Sequence, residues 1–171
     1  MAASEVQAGQ VSDGYGLVLF VPADGIEDAS KPTVAELTAN DVVDVTYALT
    51  ADGFQHTVTT ADITIERYTL DQVLSQEGKE THALVLKYPY TNTDADVSRT
   101  TFLPGTEGFI VHRLAVANDE EIAADQIVDV IPVRAGKSIK DAPAANTELT
   151  RTQKMIITGK VQLDVEVVSG N

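Results

Sequence analysis

Val161, Leu163, Val165 and Val167 alternate with Lys160, Gln162, Asp164 and Glu166. A period of two puts the apolar set on one face of an extended chain, which predicts a half-buried strand. Similar logic runs through most of the sequence. Residues 81–90 place Leu84, Leu86, Tyr88 and Tyr90 on one face, and Pro89 suits a strand end or an edge. Residues 42–49 and 63–70 are rich in Val, Ile, Thr and Tyr and are predicted as strands. Residues 17–21, 109–116 and 127–133 are apolar on both faces, apart from His112, Arg113 and Asp129. Such runs predict strands covered on both sides. Residues 150–157 also read as strand. Gly159 then marks either a bulge or the break between two separate strands.

Helix signals are few. Thr33-Val34-Ala35-Glu36 has the form of a capping box, with Pro32 just before it, and predicts a turn or two of helix. Residues 70–77 are a second, weaker helix candidate stopped by Gly78, and residues 119–125 a possible single turn. Asp13-Gly14, Asp24-Gly25, Asp52-Gly53, Pro104-Gly105 and Ala135-Gly136 are read as turns. Two longer loops are expected, an acidic arm over residues 22–40 and a Pro- and Ala-containing stretch over residues 136–149. The length of 171 residues suits one mainly β domain over residues 15–171, with residues 1–14 as an N-terminal arm.

Charge narrows the function classes. Residues 1–66 hold eleven acids against one base, Lys31, while the remainder holds fifteen against eleven. Phosphate binding needs clustered Lys and Arg, so this balance argues against ordinary nucleic-acid binding. The chain has no cysteine, which rules out disulfide and thiolate chemistry. No apolar run reaches the length that spans a bilayer, and residues 1–5 carry no basic signal region, so a cytosolic origin and no membrane partner are expected.

The search for reactive sites is nearly empty. His56, His82 and His112 show no metal-ligand spacing, and His112 in its apolar run reads as a satisfied core or interface histidine. Asn92-Thr93-Asp94-Ala95-Asp96 resembles the start of a calcium loop but lacks its central Gly and distal Glu, so it reads as a polar turn. No phosphate loop, dinucleotide fingerprint or nucleophile elbow occurs. Carboxylate pairs are plentiful among 26 acids, but there is no Trp and few aromatics to line a sugar cleft. No catalytic residue, metal or cofactor is expected.

Several runs appear in a recognisable order. Thr33-Val34-Ala35-Glu36-Leu37-Thr38-Ala39 is followed by Leu49-Thr50-Ala51-Asp52-Gly53-Phe54. Gly105-Thr106-Glu107-Gly108-Phe109-Ile110-Val111-His112-Arg113 and Val128-Asp129-Val130-Ile131-Pro132-Val133 come next. Lys140-Asp141-Ala142-Pro143-Ala144-Ala145-Asn146-Thr147-Glu148-Leu149-Thr150 then leads to Thr158-Gly159-Lys160-Val161. In this order, from about residue 15 onward, the chain resembles the major tail protein, or tail tube protein, of long non-contractile-tailed phages that infect actinobacteria. No single run is diagnostic, and the specificity lies in their order and spacing.

The resemblance implies a β-sandwich with a small helix and long extended loops. It implies homohexameric rings stacked into a hollow tube, whose inner sheets join around an acidic lumen that conducts DNA without specific binding. The implied partners are further copies of the chain, a tape-measure protein, and tail-tip and terminator proteins. The implied location is the virion tail, assembled in the host cytoplasm. Within that frame Asp24, Glu27, Asp28, Glu36, Lys137, Lys140 and Asp141 are candidate inter-ring contacts, and Asp164 and Glu166 candidate lumen acids. Two other readings stay open at this point. One is a β-sandwich module that binds a host surface or carbohydrate; the other is a related ring protein that terminates the tail.

Overall fold

A computed structural model describes residues 7–170, so the first six residues of the expected 1–14 arm lie outside the described part. The order of elements is β1 (Gly16–Pro22), α1 (Val34–Leu37), β2 (Val43–Asp44), a 3₁₀ turn (Thr46–Ala48), β3 (Phe54–Ile65), β4 (Leu74–Pro89), α2 (Val97–Thr100), β5 (Glu107–Leu114), β6 (Ile127–Lys140), β7 (Thr150–Ile157) and β8 (Gln162–Glu166). The protein is mainly β, with antiparallel pairing throughout the strand ladders and two short helices among the described residues. They group into two compact units.

The first unit takes the chain up to Tyr47, then Glu107–Pro132, then the stretch from Lys160 onward. β1 lies between β2 and β5, with Gly16 opposite Leu114 and Pro22 opposite Gly108. Leu17, Val18, Leu19, Phe20 and Val21 are all buried, as an apolar run without alternation predicts. Gly108 is required here, because a Cβ at that position would sit 2.4 Å from the Val21 carbonyl oxygen. The core gathers Leu17, Leu19, Val21, Ile26, Leu37, Val111, Val128, Val130 and Val167.

The predicted capping box forms. Thr33 Oγ1 accepts from the Glu36 N–H at 3.2 Å, and Glu36 Oε2 accepts from the Thr33 N–H at 2.8 Å. Val34 N–H donates to Val168 O and Val168 N–H to Pro32 O, both at 2.9 Å, so the arm is tied to the chain beyond β8.

The second unit holds Ala48–Thr106 and Val133–Gly159. Its ladder runs β6–β7–β4–β3, with Ala135 opposite Met155, Met155 opposite Leu84 and Leu86 opposite Phe54. Leu84, Leu86 and Tyr88 are fully buried together with Phe102, Gln153 and Met155. Gln153 links this core. Its Oε1 accepts from the Tyr88 hydroxyl at 2.8 Å, and its Nε2 donates to Phe102 O at 2.9 Å and Gly136 O at 2.7 Å. Burial pushes the Tyr88 phenol above its ordinary pKa.

Several local expectations are corrected. Residues 70–77 are not helix: β4 starts at Leu74. Residues 42–49 hold a two-residue strand and then a 3₁₀ turn, where Asp44 Oδ1 accepts from the Thr46 N–H. Residues 119–125 make no helical turn. Ala135-Gly136 is not a turn but a bulge inside β6, where the register jumps from Ala135 opposite Met155 to Ser138 opposite Gln153. The loop read as 136–149 therefore begins only after Lys140. Gly159 separates two strands: β7 pairs with β4 and β6 in the second unit, and β8 pairs with β6 in the first.

The calcium-like run 92–96 ends in a helix cap. Asp96 Oδ1 accepts from the Ser98 N–H at 2.9 Å and its hydroxyl at 2.6 Å, and Oδ2 from the Thr91 N–H at 3.1 Å. Burial opposes the charged form, but these bonds and nearby Arg151 outweigh it and hold the carboxyl below its ordinary pKa. A depressed folded-state value stabilises fully above the ordinary 3.8, and the contribution fades as pH falls toward the folded value. Asp96→Ala is expected to cost about 1–2 kcal/mol at neutral pH, as for a lost cap. Urea melts at pH 7 and pH 3 should show the gap between variant and parent narrowing in acid.

Candidate functional site

The histidines are the first place where folding adds chemistry that spacing hides. His56 and His82 lie 26 positions apart, yet Nε2 of His56 is 3.1 Å from Nδ1 of His82 and their rings stack at 5.3 Å. The register explains this: His56 faces Leu84 and Val58 faces His82, so the two imidazoles are diagonal neighbours on one face. His82 Nε2 is also 3.4 Å from Glu80 Oε2. Among the described residues no group of three or more His, Asp or Glu side chains is arranged to hold a metal ion. His112 is half-buried in β5. No helix among the described residues is long and apolar enough to cross a membrane.

A larger feature escapes the sequence reading. β3 and β4 form a long hairpin, paired from Phe54–Leu86 out to Ile65–Leu74. Beyond Val58 and His82 nearly every residue of both strands is exposed on both faces. The apolar residues there include Val58, Ile63, Tyr68, Leu70, Val73 and Leu74, with Tyr68 fully exposed. Gly78 permits a bulge opposite Ala61, since a Cβ would come 2.7 Å from the Ala61 carbonyl oxygen. An isolated two-stranded ribbon is marginal in water, and β3 ends the strand order with one side unpaired by any described strand. A ribbon with apolar side chains on both faces and an open edge is suited to being covered by another chain.

The contact candidates fall in both units. Asp24, Glu27 and Asp28 are exposed in the arm. Asp28 Oδ1 accepts from the Ser30 N–H and hydroxyl, and these bonds hold its carboxyl below the ordinary pKa. Glu36 is engaged locally, since Oε1 takes the Glu27 N–H and Oε2 takes Thr33. Lys137 and Lys140 lie on β6 rather than in a loop, and Lys140 Nζ stands 4.7 Å over the Tyr90 ring, as does the Arg151 guanidinium. The Asp141 carboxylate accepts from the Thr150 and Thr152 hydroxyls at 2.7 and 2.8 Å.

Asp164 and Glu166 are exposed on β8. Asp164 is left-handed, with φ 52°, and its N–H donates to Asp129 Oδ1 at 2.8 Å. That kink, with the register shift between Val128 and Val130, breaks the alternation seen in the sequence. Val167 is buried, Val165 half-buried and Leu163 exposed.

Charge separates by unit. Among the described residues the first unit holds fifteen acids against three bases, and the second ten against nine. One of those three bases, Arg113, is fully buried. Its guanidinium donates to Ala117 O and Glu120 O at 2.9 Å, Glu121 O at 3.3 Å and Gln126 Oε1 at 2.9 Å. Burial lowers its pKa. In the sequence Arg113 is only an exception within an apolar run; in the fold it holds the β5–β6 connection together.

The exposed ribbon and the acidic first unit are the two largest surface features of the described residues. Among solved structures the fold is similar to a chain in the six-fold-symmetrised cryo-EM structure of the anti-feeding prophage (AFP) baseplate. The TM-score is 0.54 at 14% identity, over 97% of this chain and 100% of that one, a likeness that shows the fold alone. No curated protein matches. The phage tail tube protein family matches residues 5–170, nearly the full length. The chain therefore belongs to the phage tail tube protein family: it is a homo-oligomerising structural subunit of the virion tail and not an enzyme.

Proposed function

We propose that this subunit forms hexameric rings that stack into the hollow, non-contractile tail tube of a phage infecting an actinobacterium. The observation that carries the proposal is the β3–β4 ribbon, exposed on both faces and open at one edge. Pairing such edges around a ring removes the edge liability. Stacking one ring on the next needs a heterologous contact, which grows open filaments. The ordered runs that resemble tail tube proteins of such phages support the non-contractile form and the host class.

In this reading Asp24, Glu27, Asp28, Glu36, Lys137, Lys140 and Asp141 contribute to contacts between rings. Asp164 and Glu166 face the lumen. An acidic wall repels DNA through roughly a Debye length of 8–10 Å, so the genome passes without sticking. Tape-measure, tail-tip and terminator proteins set where the tube starts and stops. The arm is best tested by point substitution: deleting residues 24–38 would remove Ile26 and Leu37 from the core and unfold the first unit.

Electron microscopy of the purified chain at rising concentration, with and without preformed tail tips, tests the proposal. Stacked rings or hollow tubes are expected. A chain that stays monomeric in both conditions overturns it.

A further inference from the structure

The second unit carries its positive charge unevenly. Residues 133–159 contain five bases, Arg134, Lys137, Lys140, Arg151 and Lys154, against two acids, Asp141 and Glu148. The ladder registers sort the strand residues by face. Ala135, Gln153, Met155, Leu84 and Leu86 are buried. The alternate positions point the other way: Arg134 opposite Ile156, Lys154 opposite Val85, and Thr152 between Ile139 and Lys87. Arg134 and Lys154 are exposed, and so are Ile139 at 65% and Ile156 at 44%. This outward face thus sets cations among bare isoleucines. The far end of the same face is charge-balanced: Lys87 pairs with Asp52 at 3.2 Å, and Asp141 accepts from the Thr152 hydroxyl at 2.8 Å, so the basic patch is confined to the Arg134–Lys154 end.

The first unit offers the complement. Between β5 and β6 the loop turns around Arg113, which draws in the backbone carbonyls of Ala117, Glu120 and Glu121. With the carbonyls engaged inward, Asp119, Glu120 and Glu121 stand exposed as three consecutive acids on an anchored loop. Anchoring lowers the ordering cost of binding. Two different patches of opposite charge on one chain pair between copies as a heterologous contact.

We infer that the Arg134–Lys154 face of one copy docks on the Asp119–Glu120–Glu121 loop of a second copy. The inference rests on the tube reading and adds how neighbouring copies select one another. The isoleucines lose water in the contact, and the cations set orientation and speed encounter. The contact weakens with salt, since exposed charges are screened within about 8–10 Å at physiological ionic strength.

Two charge-reversed chains test this, each checked for an unchanged thermal melt. One carries Arg134→Glu and Lys154→Glu; the other carries Asp119→Lys, Glu120→Lys and Glu121→Lys. Each alone is expected to need at least about tenfold more protein to assemble than the parent, equivalent to about 1.4 kcal/mol. An equimolar mixture restores parental assembly, because every contact is again between opposite charges. The charge-neutral pair Arg134→Gln and Lys154→Gln should fall between. If the parent forms tubes and each reversed chain does so equally well, the docking inference fails while the tube reading stands. It fails likewise if the mixture is no better than its parts, or if reversal abolishes binding to duplex DNA and leaves assembly untouched. A parent that never assembles, even on tail tips, overturns both.

Discussion

Arg113→Ala is expected to destabilise the first unit by about 3–5 kcal/mol, the scale of leaving several acceptors without their shared charged donor. The guanidinium is fully buried and satisfies three backbone carbonyls and Gln126 Oε1. Without it those acceptors lose their shared donor, and the turn of the β5–β6 connection loses its centre. Arg113→Lys should recover little, because an ammonium is a compact point charge and lacks the planar fork that reaches four acceptors. Chemical denaturation at fixed temperature measures the loss. A change below about 1 kcal/mol would show that the loop holds itself, and the role assigned to Arg113 would be wrong.

The second large effect separates folding from assembly. Val58 and His82 face each other across the hairpin, so residues 59–81 can be replaced by an Asn-Gly turn that closes the ladder there. The excised residues are almost all exposed and contribute no member of the buried core. Stability should therefore change by less than about 1 kcal/mol. Assembly should drop by at least about a hundredfold, roughly 2.7 kcal/mol per contact, because the apolar residues of the ribbon and its open edge are gone. Sedimentation and negative-stain imaging read the outcome. Normal tubes from the shortened chain would remove the ribbon from the interface.

The ribbon also explains where sequence reading stopped. Residues 17–21 and the Leu84, Leu86, Tyr88 series were legible because their partners lie within the same folded chain, so burial imprints directly on the pattern. Around residues 59–81 neither face is buried in the single subunit, and no inside-outside alternation results. Leu70, Val73 and Leu74 then fell at helical spacing, although the first two lie in the hairpin connection and the third opens β4. Gly136 reads as a turn in the sequence because a bulge and a turn both favour a residue without a side chain; the β6–β7 register jump identifies the bulge, and the Lys154 carbonyl, 2.5 Å from a would-be Cβ, explains the glycine. The capping box at Thr33 and Glu36 was visible because it is local. The His56–His82 contact was not, because it depends on the hairpin register.

The bare ribbon has a kinetic consequence. A long open strand edge is normally a template for irregular aggregation, and native proteins blunt it with charge, bulges or a cover. Here Asp62, Glu77, Lys79 and Glu80 interrupt the exposed strands with charge. Such residues act as gatekeepers against indiscriminate strand addition. The free subunit is thus expected to stay unaggregated below its assembly concentration, and a preformed nucleus to lower the concentration at which growth begins.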